Sequence, residues 1–211
     1  MRLPSIRMLH RILIPAVALT VFGTITIASL RPARAQSPAA AAPGGVERQG
    51  DDTAPALPVR LQIPSLHIDA PIVQVGFDDD GGMASPNSDR SVGWFAPGYI
   101  PGTPGNAVMA GHVDWVDHAA VFWFLNKLAV GDTMTVVFDD DSSVTFAVDA
   151  VQTYDDGDTP LDQVFGASDS AHLNLVTCGG VFDYATHNYD HRTVVYTTMV
   201  SADPAPPAPS D

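Results

Sequence analysis

The chain has 211 residues, a formal net charge of −14 and 45% hydrophobic residues. That length allows one domain with appendages, and the apolar share is enough for a core. So acidic a chain lacks the basic face that nucleic-acid binding requires, and a single cysteine rules out an intramolecular disulfide framework.

Residues 1–35 read as a signal or anchor segment. Arg2, Arg7 and Arg11 precede an apolar run over residues 12–30. As a helix that run measures about 28 Å, enough to cross a hydrocarbon core and longer than a usual signal-peptide apolar region. An uncleaved membrane anchor is the favoured reading. The small-x-small sequence Ala33-Arg34-Ala35 keeps cleavage after Ala35, and a secreted product, as the alternative. In both cases the bulk of the chain lies outside the cell. Residues 36–58, rich in Ala, Pro, Gly and Asp, predict a flexible linker.

From Val59 the pattern changes to short strands separated by turn signals. Strands are predicted over 59–64, where apolar and polar residues alternate, and over 70–75. The Asp78-Asp79-Asp80-Gly81-Gly82 run marks a turn, and residues 93–105, with their glycines and prolines, read as loop. Further strands are predicted over 106–113, 133–138, 143–151, 173–178 and 192–200. Val121, Phe122, Leu125 and Leu128 fall at helical spacing, so 119–128 is predicted as a short helix. Residues 154–171 and 179–191 read as loops, and the Pro- and Ala-rich residues 201–211 as a disordered tail. Seven or eight short strands in 59–200 predict an all-β barrel or sandwich with one or two short helices.

The chemistry concentrates at Leu173-Asn174-Leu175-Val176-Thr177-Cys178-Gly179-Gly180. Alternation puts Leu173, Leu175 and Thr177 on the core face, and Asn174, Val176 and Cys178 on the other, facing a cleft. The two glycines are expected to stop the strand and keep bulk away from the sulfur. A thiol so placed suits nucleophilic attack, while a buried inert cysteine is the plain alternative. A thiol nucleophile needs a proton partner and a group to steady an oxyanion. His112, after Gly111 at a strand tip, is the best partner among seven histidines. Arg192 is the best oxyanion candidate, one of four basic residues against 19 Asp in 59–200. Its plain alternative is an ion pair with one of those Asp.

Taken together, Ala110-Gly111-His112, Leu-x-Val-Thr-Cys ending at Cys178, and Arg192 entering the last strand resemble the sortases. The resemblance spans about 59–200. Gly-His-Val-Asp (Gly111 to Asp114) and Thr-Cys-Gly-Gly-x-Phe-Asp (Thr177 to Asp183) look like class F; Arg192-Thr193-Val194-Val195-Tyr196 is similar to class E. The resemblance implies an eight-stranded barrel with Cys178, His112 and Arg192 around one groove. It implies a cell-wall transpeptidase acting on secreted proteins that bear a C-terminal LPxTG-type sorting signal. Cys178 would form a thioacyl-enzyme, resolved by an amine of a peptidoglycan precursor or another acceptor. His112 would move the protons and Arg192 would hold substrate and oxyanion. Thr177 and Val176 would line the pocket, and Leu161, Val164 and Phe165 from the 154–171 loop would grip the Leu-Pro portion. A lid over the core is the alternative for that loop. Alternative activities are a cysteine peptidase, an L,D-type cell-wall transpeptidase, or an inactive sortase-like binding module. The L,D-type family places a His-Gly pair before its cysteine, where this chain has Val176-Thr177.

No cofactor enters this reading, and no metal. The Asp clusters at 78–80, 139–141 and 155–156 match no EF-hand loop and read as solvated turns. His187 and His191 sit in a predicted loop, where their spacing of four does not place them on one face. Trp94, Trp115 and Trp123 read as core or groove-wall aromatics.

Overall fold

A computed structural model describes residues 55–185 and 188–206. The apolar run 12–30 and nearly all of the linker lie outside the described residues, as do His187 and residues 207–211. Among the described residues no helix is long and apolar enough to cross a membrane.

Among the described residues ten strands follow in chain order. They are β1 (Pro58–Ile63), β2 (Ile68–Val75), β3 (Val92–Phe95), β4 (Gly105–Ala110), β5 (Asp114–Trp115), β6 (His118–Ala119), β7 (Thr133–Phe138), β8 (Ser143–Asp155), β9 (Ala171–Asp183) and β10 (Asn188–Asp203). Eight of them close into a barrel in the order β1-β2-β3-β4-β9-β10-β8-β7, and β5 pairs with β6 as a small separate ribbon. Pairing is antiparallel except at β2–β3 and β4–β9. One helix, α1 (Leu161–Phe165), interrupts the β8–β9 connection. Leu61, Ile63, Met109, Val136, Phe146, Leu173, Leu175 and Val195 fill the interior, with Phe122, Leu125 and Leu128 packed among them.

Several expectations are corrected. Residues 93–105 are not all loop, because Val92–Phe95 is a barrel strand whose Val92 and Trp94 are buried. Gly93 serves close packing there: a Cβ would lie 2.9 Å from Val75 Cγ1. The predicted helix over 119–128 is only a 3-10 turn at Leu125–Lys127. The amides of Val121 and Phe122 bond to the carbonyls of Asp89 and His112 instead of continuing a helix. The apolar spacing of that segment builds a plug for the barrel interior. The predicted loop 154–171 contains the last residues of β8 and α1.

The glycines after Cys178 do not end their strand. β9 and β10 stay paired out to Asp183 and Asn188 across a bulge. Gly180 has φ +82, and a Cβ there would collide with Asp190 and His191. β10 runs on to Asp203, so residues 201–203 belong to the strand and not to a tail. Asn174, on the outer face as expected, is buried at the floor of a hollow with Asn106, Gln163 and Tyr196. α1 covers it, and its Nδ2 donates to the Val164 carbonyl at 2.8 Å.

Gly111 follows β4 and lies against the plug, where a Cβ would stand 2.6 Å from Phe122 Cδ2 and 2.8 Å from Val121 Cγ1. Gly111→Ala is expected to cost about 1–3 kcal/mol of stability through overpacking. Chemical denaturation of the variant beside the parent chain measures this, and an unchanged midpoint would refute the tight packing.

Candidate active site

Three strands that are neighbours in the barrel carry the three candidate side chains. Ala110 lies beside Val176 across the parallel β4–β9 pair, and Val176 faces Val194 across the antiparallel β9–β10 pair. Two residues further along come His112, Cys178 and Arg192, with Cys178 and Arg192 directly opposite each other. The two-residue pleat puts this row on the face that carries Val176 and Val194, opposite the core face of Leu175 and Val195.

His112 lies two residues beyond the end of β4, yet the register is held. Gly111 N–H donates to the Val176 carbonyl at 3.2 Å, and the Thr177 hydroxyl donates to the Gly111 carbonyl at 2.8 Å. Thr177 also lines the cleft beside the sulfur, but its buried hydroxyl is spent on this strand-to-strand bond. The His112 ring is fixed from two sides. Its Nε2 donates to the Pro86 carbonyl at 2.7 Å, and Trp115 packs edge-on with centroids 4.9 Å apart. A carbonyl only accepts, so Nε2 carries the proton of the neutral ring and Nδ1 remains for proton exchange.

The thiol sits among opposing influences. Burial pushes the Cys178 thiol above its ordinary range, Arg192 pulls it down, and Asp156 and Asp114 push it up again. The expected lowering by Arg192 is present and is outweighed by burial, so the thiol rests protonated at neutral pH. Arg192 itself is tethered. Its guanidinium donates to the carbonyls of Tyr189 and His191 and to Asn188 Oδ1, and it pairs with Asp156 at 3.0 Å. It thus both faces the sulfur and holds an Asp partner, the two readings its sequence position left open.

Two neighbours were not singled out from the sequence. Tyr189 donates its hydroxyl to Asp114 at 2.7 Å, and burial together with that carboxylate pushes it up to about 12. Asp114 stands in the Gly-His-Val-Asp motif, which was the available signal; Tyr189, Pro86 and Asp156 carried none.

The residues expected to grip substrate separate into two groups. Val176 is half-buried in a cluster with Val164 and Phe165 on the outer face. Leu161, 63% exposed, and Phe165 line an apolar hollow with Phe77, Met83 and Phe95. Phe165 meets Phe95 edge-on at 5.6 Å, and Phe95 meets Phe77 at 5.1 Å. Val164 is 0% exposed and packs with Val108 and Val194, so it anchors α1 to the sheet and cannot contact a peptide.

The profile of the family described as Sortase domain matches residues 61–200. The chain belongs to the sortase family. The fold is shared with solved sortases at low identity. Sortase C-1 from Actinomyces oris superposes with a TM-score of 0.54 at 24% identity, over 68% of this chain and 75% of that one. Sortase C1 from Streptococcus agalactiae gives 0.53 at 24%, over 69% and 68%. A lid mutant of sortase A from Corynebacterium diphtheriae gives 0.54 at 22%, over 74% and 76%. At these identities the likeness is one of fold. No relative was found among curated protein sequences.

The charges around the thiol of this sortase set the sign of two variants. The pH midpoint of iodoacetamide alkylation is expected above that of free cysteine in the parent chain. Arg192→Met should raise it further, and Asp156→Asn should lower it, because the first removes a stabilising cation and the second an opposing anion. Alkylation rates across pH, followed by mass spectrometry, read all three. Midpoints that coincide would refute the electrostatic account.

Proposed function

We propose that this sortase is a membrane-anchored cysteine transpeptidase of class F type, with class E the next in likeness. It would cleave an LPxTG-type sorting signal of secreted proteins and transfer them to a cell-wall amine. The observation that carries this reading is the row His112–Cys178–Arg192, made by the register of three adjacent strands. Residues 12–30 would hold the chain in the membrane, residues 36–58 would be the tether, and residues 59–200 the extracellular catalytic domain.

In this reading the Cys178 sulfur attacks the Thr carbonyl carbon as His112 Nδ1 accepts the thiol proton. The tetrahedral oxyanion forms beside the Arg192 guanidinium, the strongest positive charge acting at the sulfur. The Thr–Gly amide bond then breaks. His112 gives its proton to the departing amine, and a thioester to Cys178 remains. An incoming amine attacks the same carbon, His112 takes its proton, a new amide forms, and the proton returns to the sulfur. A protonated resting thiol fits this sequence, since deprotonation accompanies attack. It also suits a single cysteine working outside the cell, because thiolate is the oxidisable form. For Arg192 to reach the oxyanion, its pairing with Asp156 must loosen when substrate arrives.

The sorting peptide would run along the outer face, from the hollow of Leu161 and Phe165, past Val176, to Cys178. These side chains supply apolar contact for a Leu-Pro segment.

The full chain, incubated with a library of sorting-signal peptides and an amine, should yield a peptide–amine adduct by mass spectrometry. Cys178→Ala should abolish it, and His112→Ala should lower the rate by about a hundredfold to ten-thousandfold. Hydrolysis without transfer would make the chain a peptidase. No acyl adduct with any peptide would support the inactive binding module.

A further inference from the structure

A cleft of about 410 Å³ reaches Cys178 from the mouth of the barrel. It does not include His112 or Arg192. Thr177, Thr193 and Thr153 stand side by side across β9, β10 and β8 and all line it. With strands about 4.8 Å apart, this row spans about 10 Å. The three threonines share the pleat face opposite Cys178, so the cleft approaches from the side away from Val176 and the Leu161–Phe165 hollow.

Two features of the cleft call for a ligand. Thr193 is 4% exposed, yet its hydroxyl has no protein partner among the described residues and is not among the fully enclosed unsatisfied atoms. Its spare hydrogen-bonding capacity therefore opens into the cleft. Gly179 keeps it open, since a Cβ there would stand 3.2 Å from Thr193 Oγ1. The second feature is Lys127. Among the described residues Arg60, Arg90 and Arg192 each pair with an Asp, at Asp69, Asp89 and Asp156. Lys127 has no such partner, in a chain with a net charge of −14. It lines this same cleft.

Resting on the transpeptidase reading, we propose that this cleft is the acceptor site and that Lys127 selects amines carrying a nearby carboxylate. The ammonium-to-carboxylate pairing would hold the anionic group at the Lys127 end. The Thr193 and Thr153 hydroxyls would bond the polar atoms between, and the amine would meet the thioester at Cys178. Val113, the residue after His112, forms part of the cleft wall beside Cys178. Donor and acceptor thus enter on opposite sides of β9. Lys127 is absent from the charges that act on the thiol, which are Arg192, Asp156 and Asp114.

The test uses the full chain and an active sorting peptide, with glycine, diglycine and lysine set against their carboxamides as acceptors. Lys127→Met should raise the acceptor KM for the free acids by about fivefold to tenfold, the size expected of one charge-assisted contact in a half-open cleft. It should leave the carboxamides and the donor KM within about twofold, and Lys127→Arg should restore the preference. Equal losses for acids and amides, a raised donor KM, or no loss at all would each overturn the proposal. A second measurement needs no turnover. In Cys178→Ala, NMR titration should show the acids binding more tightly than the amides, and Lys127→Met should erase the difference. If no peptide is acylated, the transpeptidase reading fails on its own, while the titration still reads whether Lys127 holds a carboxylate. Acids and amides that bind alike there would overturn the site.

Discussion

The site depends on one strand being shared by two partners of opposite sense. β9 pairs parallel with β4 on one side and antiparallel with β10 on the other. In both pairings the residues side by side point to the same face. Side chains from three separate stretches of the chain, at 112, 178 and 192, are thereby brought to one face of the sheet. A one-residue slip in either pairing would turn a side chain to the opposite face of the sheet. The Thr177–Gly111 hydrogen bond and the Gly111–Val176 backbone bond secure the register where β4 has already ended.

Around this row the protein spends its polar groups on orientation. Pro86 and Trp115 hold the His112 ring, and Asn188, Asp156 and two carbonyls hold the Arg192 guanidinium. Side chains locked in this way lose less freedom when a substrate arrives. The acidity of the domain works against thiolate formation, since Asp114 and Asp156 both oppose Arg192 at the sulfur. Burial and these two carboxylates together keep the Cys178 thiol above its ordinary range despite Arg192.

Much of the barrel was legible in the sequence because half-buried strands alternate visibly, as in 59–63 and 173–178. The errors have a common cause. Glycine in a strand looks the same in sequence as glycine in a turn, and Gly93, Gly179 and Gly180 all sit in paired strands. Whether a glycine ends a strand or admits a neighbour is decided by what lies across the sheet, such as Val75 or Asp190. Likewise, Val121, Phe122, Leu125 and Leu128 have the spacing of a helix, but long-range bonds from Asp89 and His112 capture the backbone first. Cys178, His112 and Arg192 could be picked out as a set because each chemical type is scarce or motif-bound. Pro86, Asp156 and Tyr189 could not, since an ordinary proline, aspartate or tyrosine acquires meaning only from its neighbour in space.

The position of β10 in the barrel has a consequence for how the protein matures. It is the last strand of the barrel in sequence, yet it is inserted between β8 and β9. A chain emerging amino end first cannot close its sheet until residues near 203 are free, and folding that waits on such distant pairings is slow. Until β10 is in place, Cys178 therefore stands without its guanidinium neighbour. The row of His112, Cys178 and Arg192 is completed in a single closing event, when the last strand enters the barrel.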